Sequence, residues 1–263
     1  MPTTENTRNN RRTNAATPAL FDLDANATYL NISKPPAVVH PARFSPQIIA
    51  TVTGLIPTGA RVHDPFAGTG ERLGRLADDL GVTFTGTEIE PSFIVSPRVN
   101  VGDSTDPETY PPSPFVVVTS PVYPNGMADH FAATDGSHRN TYRAAVASNE
   151  GVDRPLHPRN MGCYGYRGTG PTSTKRAMYW RLAEAVVACW GGANLAIVNT
   201  SDFMARGKIE AVTEPWKRLL KRCGWQIEDV HRVKTARNGY GANGDVRVNH
   251  EDIIVATHKL GAD

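Results

Sequence analysis

Apolar positions along the chain switch between the two-residue alternation of strands and the three-and-four spacing of helices, and each switch predicts an element. Phe115-Val116-Val117-Val118 is too short for a lone helix and rich in β-branched residues, so it predicts a buried strand running to Thr119. Pro121 and Pro124 then bar continuation as a central strand or an immediate helix. A hydroxyl (Ser120), a carbonyl and an aromatic ring (Tyr123) are therefore presented where a core strand ends. In open α/β sheets that is the side on which ligands bind.

The other elements follow in order. Ser45-Pro46 is an N-cap and first-turn pair, and Ile48, Ile49, Val52 and Leu55 predict a helix over residues 45–56. A short strand ends at His63 or Asp64, a glycine turn follows, and Leu73, Leu76, Ala77 and Leu80 mark a helix that Gly81 stops. Strands are predicted over 82–89, 99–101 and 194–199. Helices are predicted over 175–190 and, with Pro215 in its first turn, over 212–223. Two last strands, 225–233 and 252–258, flank a Gly/Asn-rich loop. Residues 124–174 lose all regularity, and a structureless stretch of that length is usually functional or disordered. Residues 19–33 fit no element clearly, and there are no internal repeats. Strands alternating with helices and closed by a hairpin predict an α/β three-layer sandwich, its seven-stranded sheet mostly parallel with an antiparallel terminal hairpin.

Composition narrows the class. A net charge of only +2 over 263 residues makes any nucleic-acid footprint local rather than global. Cys163, Cys189 and Cys223 lack CxxC spacing, which disfavours a disulfide scaffold or a zinc ribbon and fits a reducing cytosol; no metal is expected. Without an apolar run of membrane-spanning length or a signal-peptide centre, a soluble cytoplasmic protein with no membrane partner is expected. Residues 1–18 are polar and carry Arg8, Arg11 and Arg12, as a disordered basic tail would, and residues 19–263 are expected to form one domain.

Three motifs carry the chemistry. Asp64-Pro65-Phe66-Ala67-Gly68-Thr69-Gly70 follows a strand and opens a helix, the usual cradle of a nucleotide-like ligand. It lacks the Lys-Ser/Thr of a P-loop and the third glycine of a dinucleotide fingerprint, and taken alone it could be an ordinary turn. Glu88 lies about twenty residues on, at a strand tip where an acid commonly binds ribose hydroxyls. Asp103 and the Thr119-Ser120-Pro121-Val122-Tyr123 stretch come next in the chain.

In this order the set resembles the amino-methylating DNA methyltransferases that use S-adenosyl-L-methionine, with their DPFxGxG and S/D/N-P-P-Y/F motifs. His40-Pro41-Ala42-Arg43-Phe44 is similar to the segment preceding their glycine motif. Gly86-Thr87-Glu88-Ile89-Glu90-Pro91 is similar to their second motif, and Asn249-His250-Glu251-Asp252-Ile253-Ile254-Val255 to their last strand. The resemblance, running from about residue 37 to 258, implies a Rossmann-like methyltransferase fold. It implies that Asp64, Phe66, Gly68 and Gly70 line the methionine and ribose part of the cofactor, with Arg43 and Phe44 beside them. Glu88 is then expected on the ribose hydroxyls and Asp103 at the adenine end. Ser120 and Pro121 would accept the hydrogens of an exocyclic amine, and Tyr123 would stack on a base flipped out of the duplex.

Val122 stands where the family has its second proline, which costs the motif rigidity. Ser at the first position is associated in the family with cytosine N4, and no Pro-Cys pair exists for carbon-5 chemistry. Residues 124–174 fall where related enzymes carry an insertion. Its Arg139, Arg143, Arg159 and Arg167, with Arg237 in the terminal hairpin, are the expected DNA contacts. Double-stranded DNA is expected as partner ahead of RNA, with nucleoid association following from it and a homodimer left open. Adenine N6, RNA, and a catalytically impaired protein that binds cofactor or DNA remain as alternatives.

Overall fold

Helix α1 (Pro46–Thr53) begins as its residues dictate. Ser45 Oγ accepts from the Ile48 N–H at 3.2 Å, and Pro46 occupies the first turn, where a missing N–H costs nothing. It ends short of the expected Ile56 because Gly54 closes it, the Gly54 N–H donating to the Thr51 carbonyl and the Leu55 N–H to that of Val52. In this computed structural model residues 38, 40, 44–124, 142–164, 172–205, 208–235 and 248–258 are described. The chain divides into units 1–35 and 36–263, and the description concerns the second. The expected tail, Arg43, Arg139, Arg167 and Arg237 lie outside the described residues.

The remaining elements are β1 (Arg61–Asp64), α2 (Glu71–Leu80), β2 (Thr83–Glu88), β3 (Val99–Val101), β4 (Phe115–Thr119), α3 (Tyr142–Glu150), α4 (Thr172–Ala188), β5 (Ala193–Thr200), β6 (Phe203–Ala205), β7 (Lys208–Glu210), α5 (Thr213–Arg222), β8 (Gln226–Lys234) and β9 (His250–Thr257). Seven strands form one sheet in the order β3-β2-β1-β4-β5-β9-β8, while β6 and β7 pair separately. Neighbours from β3 to β5 are parallel, and β9 runs antiparallel to both β5 and β8. This is the expected mostly parallel sheet with a terminal antiparallel hairpin. Chain order reverses between β1 and β4, so the ligand crevice belongs beyond their carboxyl ends.

Strand alternation divides the core. Phe115, Val117, Ala196, Val198, Ile254 and Ala256 pack with Tyr179, Ala183 and Val186 of α4 and Trp216, Leu219 and Leu220 of α5. Val116, Val118, Ile197 and Ile253 point to the other face and are equally buried. On that side α1 and α2 supply Ile48, Ile49, Val52, Leu73 and Leu76, and α2 contacts β2 while α1 contacts β8 and β9. The result is three layers. Among the described residues no helix is long and apolar enough to cross a membrane.

Three features depart from the sequence reading. Residues 142–150, expected irregular, form α3, because Tyr142, Ala145 and Val146 share a face that buries against Phe93. Helix α4 starts at Thr172 rather than Lys175. The β6–β7 pair was not expected; beside it the Asp202 carboxylate accepts from the Val212 and Thr213 N–H groups and so caps α5 from outside the helix.

Candidate functional site

The glycine turn owes its shape to two left-handed residues, Gly68 (φ 55°) and Gly70 (φ 68°). A Cβ on Gly70 would collide with Val99 Cγ2, and one on Gly68 would lie 2.8 Å from His40 Nε2. Both conformation and space therefore demand glycine. Asp64, at the end of β1, holds the turn from below. Its Oδ1 accepts from the Phe66 N–H at 2.9 Å and from Thr119 Oγ1 at 2.6 Å, tying the glycine turn to the end of β4. Its Oδ2 takes no hydrogen bond from any described residue. Burial, only partly offset by those two bonds, pushes this carboxyl up to about 7. His63, just before it, sits between the Tyr110 and Phe115 rings, and burial lowers it to about 4, so it stays neutral.

Glu88 ends β2, as the sequence reading placed it. Its Oε2 accepts from the Gly68 N–H at 2.9 Å and its Oε1 from the Glu90 N–H at 2.9 Å. Burial raises it to about 7, with those two bonds pulling the other way and the charges of Glu90 and Asp64 adding to the rise. A carboxylate offers about four acceptor positions, so each oxygen keeps capacity for another donor. Glu90, which had no assigned role, is fully buried. It accepts from Arg154 Nη1 (3.1 Å), the His157 N–H (2.6 Å) and Asn160 Nδ2 (3.1 Å), which fastens residues 154–160 over the tip of β2.

That fastening places Arg159. Its Nε lies 2.9 Å from Asp103 Oδ2, while Asp103 Oδ1 accepts from the Thr105 N–H and hydroxyl. Arg159, expected on DNA, thus pairs with the acid expected at the adenine end. Arg143 is held by both oxygens of Asp153, at 2.7 and 2.9 Å.

Beyond β4, the Pro121 carbonyl accepts no hydrogen bond from any described residue. The Val122 carbonyl accepts from the Tyr179 hydroxyl at 2.7 Å. This bond restrains the segment at the position where the resemblance leads one to expect a second proline. Asn199, at the end of β5, donates from Nδ2 to Ser120 Oγ (3.3 Å), to Tyr123 Oη (3.5 Å) and to Glu251 Oε2 (2.7 Å). The Tyr123 hydroxyl also donates to Glu251 Oε2 at 3.4 Å.

These groups surround one cavity of about 330 Å³ at the carboxyl ends of the strands. Of the expected residues, Phe44, Asp64, Phe66, Gly70, Glu88, Asp103, Ser120, Pro121, Tyr123 and Arg159 line it. Gly68 reaches it through its N–H on Glu88. Arg143 does not line it. Asn199 and Glu251 line it without having been expected. Asn199 ends a strand parallel to β4, and Glu251 begins one antiparallel to it, an adjacency that only the sheet pairing reveals.

No known family model matches the chain, and no curated protein does. Among solved structures it is similar to an S-adenosylmethionine-dependent methyltransferase of Methanosarcina mazei, at 10% identity over 80% of this chain and 98% of that one, with a TM-score of 0.47. It is likewise similar to the precorrin-6y C5,15-methyltransferase of Geobacter metallireducens (12%, 84% and 93%, 0.43). A third is the Synechocystis magnesium protoporphyrin IX methyltransferase with bound S-adenosylhomocysteine (11%, 81% and 82%, 0.44). Likeness at this level bears on neither substrate nor activity.

Proposed function

We propose that this protein transfers the methyl group of S-adenosyl-L-methionine to the N4 amine of cytosine in DNA. The observation that carries the reading is that the Asp64–Gly70 turn and the Ser120–Tyr123 segment, far apart in sequence, line one cavity across the β1/β4 switch point.

The groups present suit such a cofactor. The backbone comes close at a turn where no side chain fits, and Glu88 has acceptor capacity for a diol. Asp64 Oδ2 is left for a cationic or N–H group, and at the far end Asp103 is paired with Arg159 Nε. When bound, the cofactor supplies an electrophilic methyl whose bonding electrons stay on its sulfonium sulfur. Everything else falls to the protein.

The cytosine amine is a poor nucleophile because its lone pair is delocalised into the ring. Ser120 Oγ and the Pro121 carbonyl, adjacent in the chain, accept its two hydrogens and draw the nitrogen toward tetrahedral geometry. That is catalysis by placement and electrostatics rather than by a strong base. As the N–C bond forms, the surplus amine proton is held at Ser120 Oγ and passes to water. The Tyr123 ring, tethered through its hydroxyl to Asn199 and Glu251, stacks on the flipped base. Ser120 favours cytosine over adenine, and of the arginines in residues 124–174 Arg139 and Arg167 are assigned to DNA phosphates, since Arg143 and Arg159 are paired with Asp153 and Asp103. Methylation of adenine N6 or of RNA, and binding without catalysis, are the outcomes that would displace this reading.

The test is label transfer from tritiated S-adenosyl-L-methionine to unmethylated bacterial DNA. Ser120→Ala and Tyr123→Ala are expected to lose at least about 100-fold in rate while cofactor affinity stays within about threefold. Full activity in both variants refutes the assignment.

A further inference from the structure

Two polar residues reach the cavity from strands that contribute nothing to the glycine and Ser-Pro motifs. Asn199 is 2% exposed, and its Oδ1 is buried with no partner among the described residues. Its Nδ2 carries two hydrogens and faces three acceptors: Glu251 Oε2 at 2.7 Å, Ser120 Oγ at 3.3 Å and Tyr123 Oη at 3.5 Å. The short bond to the carboxylate decides which way the amide lies. Reversed, it would set a carbonyl oxygen against a negative charge. The second hydrogen is then shared between the Ser120 and Tyr123 oxygens.

A buried acceptor with no donor weakens a fold, and an apolar side chain of similar volume would avoid the cost. Asn199 therefore stands here at the expense of stability, at the wall of the ligand cavity, in contact with both side chains assigned to the base. We propose that Glu251 and Asn199 form a positioning pair that fixes Ser120 Oγ and the Tyr123 ring for the target amine. This inference rests on the amino-methylation reading of the site.

The geometry gives each member one task. Glu251 anchors the Asn199 amide. Asn199 fills one of the two lone pairs on Ser120 Oγ, so the other is left for the amine hydrogen beside the Pro121 carbonyl. Through the Tyr123 hydroxyl the pair also sets the angle at which the ring meets the base. Both act through Ser120 and Tyr123, and so are positioning rather than catalytic residues.

The experiment uses the full chain, tritiated S-adenosyl-L-methionine and unmethylated bacterial DNA, with cofactor affinity measured separately by calorimetry. Asn199→Ala and Glu251→Ala are expected to lower kcat about 30–100-fold, the scale of a small misplacement of reacting groups. The cofactor Kd should stay within about threefold. Glu251→Gln is expected to recover to within about fivefold of wild type, because an amide carbonyl accepts the same Asn199 N–H. An Asn199→Ala chain with wild-type kcat overturns the pair. So does a Glu251→Gln chain as impaired as Glu251→Ala, which would make Glu251 a proton acceptor, or a cofactor Kd that worsens in step with kcat. A wild-type chain that binds cofactor but labels no DNA refutes the substrate reading and this inference with it. An active wild type with unaffected variants refutes only the pair.

Discussion

Asp64→Asn isolates what the buried carboxylate costs the fold. Asp64 is 2% exposed, and its Oδ1 accepts from Phe66 and Thr119, bonds that an Asn carbonyl oxygen would keep. Burial lifts this carboxyl from 3.8 to about 7, so between those values the folded chain retains a proton that the unfolded chain has released. Protons bound in excess by the folded state mean that stability falls as pH rises. At about 1.4 kcal/mol per unit, Asp64 costs about 4 kcal/mol by pH 8 and less than about 1 kcal/mol at pH 4. Glu88, raised from 4.5 to about 7, pulls in the same direction. Urea unfolding of the cofactor-free protein should show Asp64→Asn more stable than wild type by about 2–4 kcal/mol at pH 8 and nearly equal to it at pH 4. Calorimetry should show cofactor affinity reduced more than about tenfold, through the lost charge at Oδ2. An equal difference at both pH values, or an Asn variant less stable at pH 8, refutes the reasoning.

Other substitutions probe the scaffold. Gly70→Ala forces a side chain into a left-handed turn and against Val99, and should cost about 2–5 kcal/mol in urea unfolding; a loss under about 1 kcal/mol contradicts the stated packing. Tyr179→Phe leaves the Val122 carbonyl without its donor. It should lower stability by about 1–3 kcal/mol and slow methyl transfer about tenfold, with Val122→Pro in the same chain recovering part of the rate. Unchanged melting and rate would show that the Tyr179 bond restrains nothing.

The fold was legible where periodicity and punctuation agree. Ser45-Pro46 opened α1, and the glycines at 70 and 81 bracketed α2. The β-branched run at 115–119 is a strand buried at every position. Residues 142–150 fit no element in the sequence because only Tyr142, Ala145 and Val146 face inward, and the polar Ser148, Asn149 and Glu150 cut the apolar stripe off after little more than one turn. The short pair β6–β7 is too brief for any period to register. In the site, Asp64, Glu88 and Ser120 sit at strand ends, where pattern and chemistry coincide. Asn199 and Glu251 could not be joined to them from sequence. Their partnership depends on β9 inserting antiparallel beside β5, a pairing that brings together residues 52 apart in the chain. The pairing of Arg159 with Asp103 is equally non-local, set by the buried Glu90 that fastens the loop.

The central claim, methyl transfer to the cytosine amine, is tested most directly by mass spectrometry of nucleosides. DNA incubated with the protein and S-adenosyl-L-methionine bearing a deuterated methyl group would be digested and its modified bases identified. The heavy methyl is expected in N4-methylcytosine and in no other base. Label in N6-methyladenine, label only when RNA is supplied, or no label despite bound cofactor would contradict it.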